Sequence, residues 1–411
     1  MNSSTLDYLK SVADDCIGCG ICTQVQAPCG QVYQLEFGDI ATRLLDAADA
    51  AKGEGREVVI DDIPDDIQEF SRACMLCGRC TAHCPAEIEA GKVSSAARSF
   101  VLGASPEIKA EYRRYRCDLD DSMYSRVRAV QGVSRSESLS RSASNPFSPK
   151  PGKSLFFPGC TLGNNFPGLA EGVYEKLREQ SIVDCITSFC CGRPLFLLGL
   201  PDERERYNEA LCQRIIDSGV ERIVTVCPNC YYALRSVLAE HGLSDKVEIR
   251  DLCDILVERG YRFEPTEKNP YEKIMIHDSC PDRKEGLIGN NLRKIFENIE
   301  VVEPEHSHID SICCGSGGMA SVYKQDIPQA AFGARVNEFF ASHARCLVTS
   351  CVTCASTFKS SGAINCKHYL ELFFDLDMDM EAMSSAFGRL FDPSDEFYVG
   401  KFDVDEPFFV E

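Results

Sequence analysis

Apolar residues fall along this chain in two rhythms, and their alternation predicts the architecture. Residues 155–157 (L-F-F) form a short unbroken apolar run and predict a strand, after which Leu169, Val173 and Leu177, at i, i+4 and i+8, mark one face of a helix. Residues 182–186 predict a second strand. Pro201 then opens a helix with Tyr207, Leu211 and Ile215 on one face and Gly219 at its end. A third strand is predicted at 223–226 and a helix at 231–241, stopped by Gly242. The order then repeats. Strands are predicted at 274–276, 300–302 and 347–349, with one helix marked by Leu292, Ile295, Phe296 and Ile299 and another opened by Pro328 with Phe332, Val336 and Phe340. Strand–helix alternation predicts parallel sheets with right-handed crossovers, which collect functional groups at the carboxyl ends of their strands. Residues before 122 read differently: 41–52 predict a helix ended by Gly53, an acidic loop follows at 61–66, and the module is expected to be largely helical.

Cysteines punctuate this pattern. The first copy carries Cys160, then Cys190-Cys191-Gly192, then Cys227-Pro-Asn-Cys230; the second carries Cys280, then Cys313-Cys314-Gly315, then Cys351-Val-Thr-Cys354. Five thiols in the same order, offset by about 120 residues and each set on short strands, constitute a self-similar unit. Adjacent cysteines fit zinc poorly because neighbouring side chains diverge around a tetrahedral centre, and five thiolates exceed the four positions of zinc or of an ordinary cubane. A polynuclear iron–sulfur site with one bridging thiolate would use all five, with Gly192 and Gly315 letting the backbone turn beside it.

With 411 residues, the chain has room for two or three domains and an ample core. Its 24 cysteines belong to neither a short nor a secreted chain, so metal explains them better than disulfides. A net charge of −20 argues against nucleic acid, which requires a basic face. With no apolar stretch of spanning length and no basic, apolar leader at its start, the chain is expected to be cytoplasmic, with membrane contact only through a partner.

The amino-terminal module carries Cys16-Ile-Gly-Cys19-Gly-Ile-Cys22, with Cys29 after six more residues, and Cys74-Met-Leu-Cys77-Gly-Arg-Cys80-Thr-Ala-His-Cys84-Pro. The second run is the bacterial ferredoxin pattern, in which the fourth cysteine serves the other cluster. One cubane [4Fe-4S] cluster would then take Cys16, Cys19, Cys22 and Cys84, and the other Cys74, Cys77, Cys80 and Cys29. Zinc also accepts four thiolates, but it rarely uses three at i, i+3 and i+6 with a distant fourth. Cys29 departs most from the pattern, with Pro28 before it and Gly30 after it.

The duplicated cysteine pattern resembles the CCG domains of heterodisulfide reductases. With the ferredoxin module in front, the chain is similar to that family's fused catalytic subunit, and it resembles the iron–sulfur subunits of glycolate oxidase, anaerobic glycerol-3-phosphate dehydrogenase and lactate-utilisation complexes. The resemblance covers about residues 10–375. It implies an α+β protein: a mostly helical two-cluster ferredoxin module at 1–121 and two pseudo-repeated α/β CCG domains with short parallel sheets at 155–270 and 271–374. Composition marks a Ser/Arg/Pro linker at 122–154 and an acidic aromatic tail at 375–411. It further implies two noncubane [4Fe-4S] clusters, one held by Cys160, Cys190, Cys191, Cys227 and Cys230 and the other by Cys280, Cys313, Cys314, Cys351 and Cys354. Cys191 and Cys314 are then the candidate bridging thiolates.

The expected function is a heterodisulfide reductase-like oxidoreductase. A flavoprotein or other redox subunit donates electrons, two cubane clusters carry them, and the noncubane clusters reduce a disulfide or thiol conjugate. No Gly-rich nucleotide fingerprint follows a strand, so flavin or nicotinamide is expected on a partner. His277, three residues before Cys280, is a candidate proton donor to a leaving thiolate; His306 and His308, before Cys313, are weaker ones. The alternative is an electron-transfer subunit of a flavoprotein dehydrogenase complex, passing electrons to a quinone or other carrier. Of the remaining cysteines (Cys117, Cys185, Cys212, Cys253, Cys346 and Cys366), Cys185, Cys212 and Cys346 fall within apolar strand or helix patterns and read as small core residues. The arginines of the linker read as solvated. The tail, net −9, reads either as a frayed end or as a docking segment.

Overall fold

A computed structural model describes residues 3–25, 33–119, 121–132, 154–187, 189–322 and 326–400. Cys29 and residues 401–411 of the tail lie outside them. The chain divides into two units. One comprises residues 1–113, 194–204 and 306–338; the other comprises 114–193, 205–305 and 339–411.

The first unit is helical, as expected. Helices Ser3–Asp15, Phe37–Gly53, Asp65–Ala73 and Ala90–Ala104 surround a core of Leu9, Ile40, Leu44, Ile67 and Phe100, all fully buried. Phe37–Gly53 buries Phe37, Ile40, Ala41, Leu44, Ala47 and Ala51, the stripe of an amphipathic helix. Two segments from the repeat region fold with these helices: 194–204, and 306–338 with helix Asp326–Ser342.

The second unit holds two four-stranded sheets, one per cysteine repeat. The first contains β1 (Ser154–Phe157), β2 (Cys185–Ile186), β3 (Arg222–Thr225) and β4 (Glu248–Asp251) in the order β2-β1-β3-β4. The second contains β5 (Lys273–His277), β6 (Glu300–Val302), β7 (Cys346–Thr349) and β8 (Cys366–His368) in the order β6-β5-β7-β8. Every pair is parallel. The strand order reverses beside β1 and β5, so each sheet has a switch point where carboxyl-end loops splay apart and leave room for a ligand.

The differences from expectation have local causes. The run 182–186 yields only two strand residues, because Ser181 is left-handed (φ 54°) and the Ile182 amide still caps the preceding helix at Leu177 O. Ile299 falls outside helix Leu287–Ile295, in the turn where its amide reaches Phe296 O. Edge strands β4 (E-I-R-D) and β8 (C-K-H) carry charged residues and present no apolar run. Residues 123–130, at the start of the serine-rich stretch, form helix Met123–Val130, and the tail contains helix Met380–Phe391; Val127, Ala386, Leu390 and Val399 share a small core.

Candidate metal centres

The first thiol set is assembled at the carboxyl edge of its sheet. Cys160 follows β1 by three residues, Cys190 follows β2 by four and Cys227 follows β3 by two, while Cys230 lies one turn into helix Pro228–Glu240. Their thiols converge. Cys190 Sγ lies 3.5 Å from Cys160 Sγ. Cys190 also bonds Cys191, Cys191 bonds Cys230, and Cys230 bonds Cys227. Gly159 makes this possible: its backbone (φ 80°, ψ 162°) is open only to glycine, and a Cβ there would lie 2.7 Å from Cys230 Sγ.

Local electrostatics sort these sulfurs. Bonded thiols and burial push Cys190 and Cys230 well above the usual thiol range. Cys191 falls well below it, because it accepts from Cys190, Cys230 and the Arg193 amide. Buried sulfurs that obstruct one another's ionisation become a set of thiolates only around positive charge, and an all-sulfur donor set suits iron–sulfur metal. The residues present therefore fit a cluster.

Several supports escaped the sequence reading. Thr225 Oγ1 accepts from the Cys227 amide at 3.3 Å, and Thr349 Oγ1 accepts from the Cys351 amide at the same distance. Both threonines are fully buried and hold the turn that enters a C-x-x-C pair; the shared V-T-x-C spelling was the available signal. Tyr207 OH donates to Cys190 O at 3.0 Å. Cys117, which no spacing singled out, bonds Cys190.

In the second set, Cys280 follows β5 by three residues and Cys351 follows β7 by two, matching the first copy. Ser279 Oγ lies 3.1 Å from Ser350 Oγ, which ties the two loops together. Cys351 drops to about 7, mainly through its bond with the Cys354 thiol and then through the Cys354 and Thr353 amides. Those three cysteines belong to the second unit, whereas Cys313 and Cys314 belong to the first. Gly192 (φ 76°) and Gly315 (φ 96°) turn as expected. His277, 1% exposed, ends β5 and stacks edge-on against Phe358 at 5.2 Å. His306 is held by the Glu338 carboxylate, which also receives Arg335 at 2.7 Å.

In the helical unit, Cys16, Cys19, Cys22 and Cys84 line one pocket with Phe37, Pro85 and Ile88. Burial raises Cys22, which accepts the Phe37 amide. Burial, together with Cys77 and Cys74 beside it, raises Cys80 well above its usual range. The Leu76 amide and the Ser94 hydroxyl approach Cys74 Sγ at 3.4 and 3.0 Å, the kind of donors that tune a sulfur ligand. The loop 74–77 meets the loop after Cys314 in this same unit. Arg98, buried, donates to Cys74 O at 2.6 Å and Gly318 O at 2.7 Å. A Cβ on Gly317 would lie 2.5 Å from Met75 O and 2.9 Å from Cys313 Sγ, so one glycine separates the ferredoxin loop from a repeat thiol.

Comparison with known proteins bears on this arrangement. The cysteine-rich CCG domain family matches residues 154–235 and 274–359, and the 4Fe-4S dicluster domain matches residues 12–88. The chain thus carries two CCG cysteine-rich domains behind a 4Fe-4S dicluster domain. It is 24% identical to one subunit of the fumarate reductase (CoM/CoB) of Methanothermobacter marburgensis, over 76% of this chain and 62% of that one. It is 22% identical to one subunit of the dihydromethanophenazine:CoB–CoM heterodisulfide reductase of Methanosarcina barkeri, over 71% and 73%. The glycolate oxidase iron–sulfur subunit of Escherichia coli is 22% identical over 88% of this chain and 93% of its own. The chain spans only 56 to 62% of the length of several curated relatives it matches. The matched domains are those of iron–sulfur proteins, and the relatives named above are a fumarate reductase subunit, a heterodisulfide reductase subunit and a glycolate oxidase iron–sulfur subunit. Among the described residues, no helix is long and apolar enough to cross a membrane.

Proposed function

We propose that this chain takes electrons from a flavoprotein or other redox subunit through its ferredoxin-type clusters and uses them at its two CCG sites to reduce a disulfide. The balance is R–S–S–R′ plus two electrons and two protons giving R–SH and R′–SH. Clusters held by these cysteines would supply the electrons one at a time and a Lewis-acidic iron for thiolate sulfur. The observation that carries the reading is Gly317, flanked by Met75 O and Cys313 Sγ: the ligand loop of a ferredoxin cluster abuts a CCG thiol through backbone alone. Convergence of Cys160, Cys190, Cys191, Cys227 and Cys230 supports a noncubane cluster, and Cys191, which touches both Cys190 and Cys230, would serve as its bridging thiolate. Kinship with one component of a heterodisulfide reductase supports the disulfide. His277, buried at the carboxyl end of β5, is the candidate proton donor.

A second reading is a relay subunit without a substrate, favoured by the match to nearly the full length of the glycolate oxidase iron–sulfur subunit. Viologen-reduced protein offered a panel of small disulfides separates the two. Turnover that disappears in Cys191→Ser and Cys314→Ser, and slows about 10²–10⁴-fold in His277→Gln, is the expected result. If no disulfide is reduced and none perturbs the cluster spectra, the relay reading holds.

A further inference from the structure

Cys117 belongs to neither ferredoxin run nor to either five-cysteine repeat. It sits in the turn after the helices of the amino-terminal module, beside the ion pair Arg116–Asp118 (2.6 Å). Only 7% of it is exposed, and its thiol bonds Cys190, the sulfur that also contacts Cys160 and Cys191. The phenol of Tyr124 lies near the same four sulfurs, and Tyr207, 2% exposed, closes the group through Cys190 O. A sixth thiol therefore stands inside the first site.

We propose that Cys117 is a sixth cluster ligand of the first CCG site. This rests on the reading that the five-cysteine set holds a cluster. A cysteine kept only for packing lies among aliphatic neighbours, as Cys212 does on the buried stripe of its helix with Leu211 and Ile215. Cys117 instead adjoins metal-ligating sulfur.

The repeat shows that the feature belongs to the first copy. Cys117 precedes Cys160 by 43 residues; the same offset from Cys280 falls on Val237, an apolar core residue 2% exposed. The cysteine next upstream of Cys280, Cys253, bonds Tyr369 and Asp251 instead. The two CCG sites are thus chemically unequal. With a cluster bound, Cys117 would hold one iron of the first site as a thiolate.

The test is replacement of Cys117 by selenocysteine carrying the spin-half selenium isotope, which is close to isosteric and preserves the packing. Electron–nuclear double resonance of the partially oxidised full-length protein should show selenium hyperfine coupling to one cluster. Cys117→Ser should keep the ferredoxin-module signals, change the spectrum of one CCG cluster, and make that cluster respond to added 2-mercaptoethanol as the wild type's does not. Absence of selenium coupling, or a serine variant whose spectra match wild type with and without the thiol, would overturn the assignment. Iron content separates the two levels of the claim. If the CCG sites hold no iron in wild type, the cluster reading itself fails; if they hold iron without selenium coupling, only Cys117 is misassigned.

Discussion

Cys191 and Cys212 are buried cysteines of the same repeat, yet different physics governs each. Cys212 lies on a helix stripe, and burial raises its thiol to about 11, so it stays protonated and inert. Cys191 accepts from Cys190, Cys230 and the Arg193 amide, and these donors hold it well below the usual thiol range. Spacing in the sequence was enough to separate them. Spacing could not reveal Cys117, whose partners lie at sequence distances that nothing repeats. Asp251 is a comparable case: it reads as an ordinary carboxylate after a strand, but it is buried and accepts the Cys253 amide at 2.9 Å. Burial raises its carboxyl from 3.8 to about 7. The folded protein therefore binds more protons than the unfolded chain between about pH 4 and 7. This group's contribution to stability falls as pH rises through that window, and the cost persists above it. Asp251→Asn retains an acceptor for the Cys253 amide without the charge. Anaerobic urea unfolding should show the variant gaining on wild type from pH 4 to pH 7, by up to about 4 kcal/mol. Parallel profiles would mean that burial does not disfavour the charged carboxylate.

At the scale of elements, most central strands and helices were legible because they carry unbroken apolar runs or regular stripes. Strands β4 and β8 were not, since an edge strand can be built from charged residues once its neighbour supplies the ladder. The cysteine loops were legible as a pattern, but the close approaches inside them were not. Gly159 is the plainest example. Gly159→Ala adds a methyl group 2.7 Å from Cys230 Sγ, in a backbone region costing about 1–3 kcal/mol for a non-glycine residue. The expected result is loss of roughly four irons per chain with the ferredoxin-module signals intact. Full iron content in this variant would show that the first thiol set does not hold metal in the geometry described.

For the whole molecule, the sequence suggests modules in series, a ferredoxin domain followed by two CCG domains. The chain is less linear than that. Residues 194–204 and 306–338, embedded in the repeats, fold with the amino-terminal helices, and Arg98 ties the loop at Cys74 to the loop at Gly318. The organisation could not be read from periodicity, because a surface loop that docks on another module has no reason to repeat. It places the backbone at Met75 beside Gly317 and Cys313 Sγ, the approach on which the proposed electron path rests.

The central claim, that both ferredoxin runs and both five-cysteine sets hold polynuclear iron, is tested most directly by metal and acid-labile sulfide analysis of the full chain purified without oxygen. About sixteen irons and about sixteen sulfides per chain with negligible zinc are expected, from four four-iron clusters. A value near eight irons with no metal on the CCG thiols, or zinc in stoichiometric amount, would contradict it.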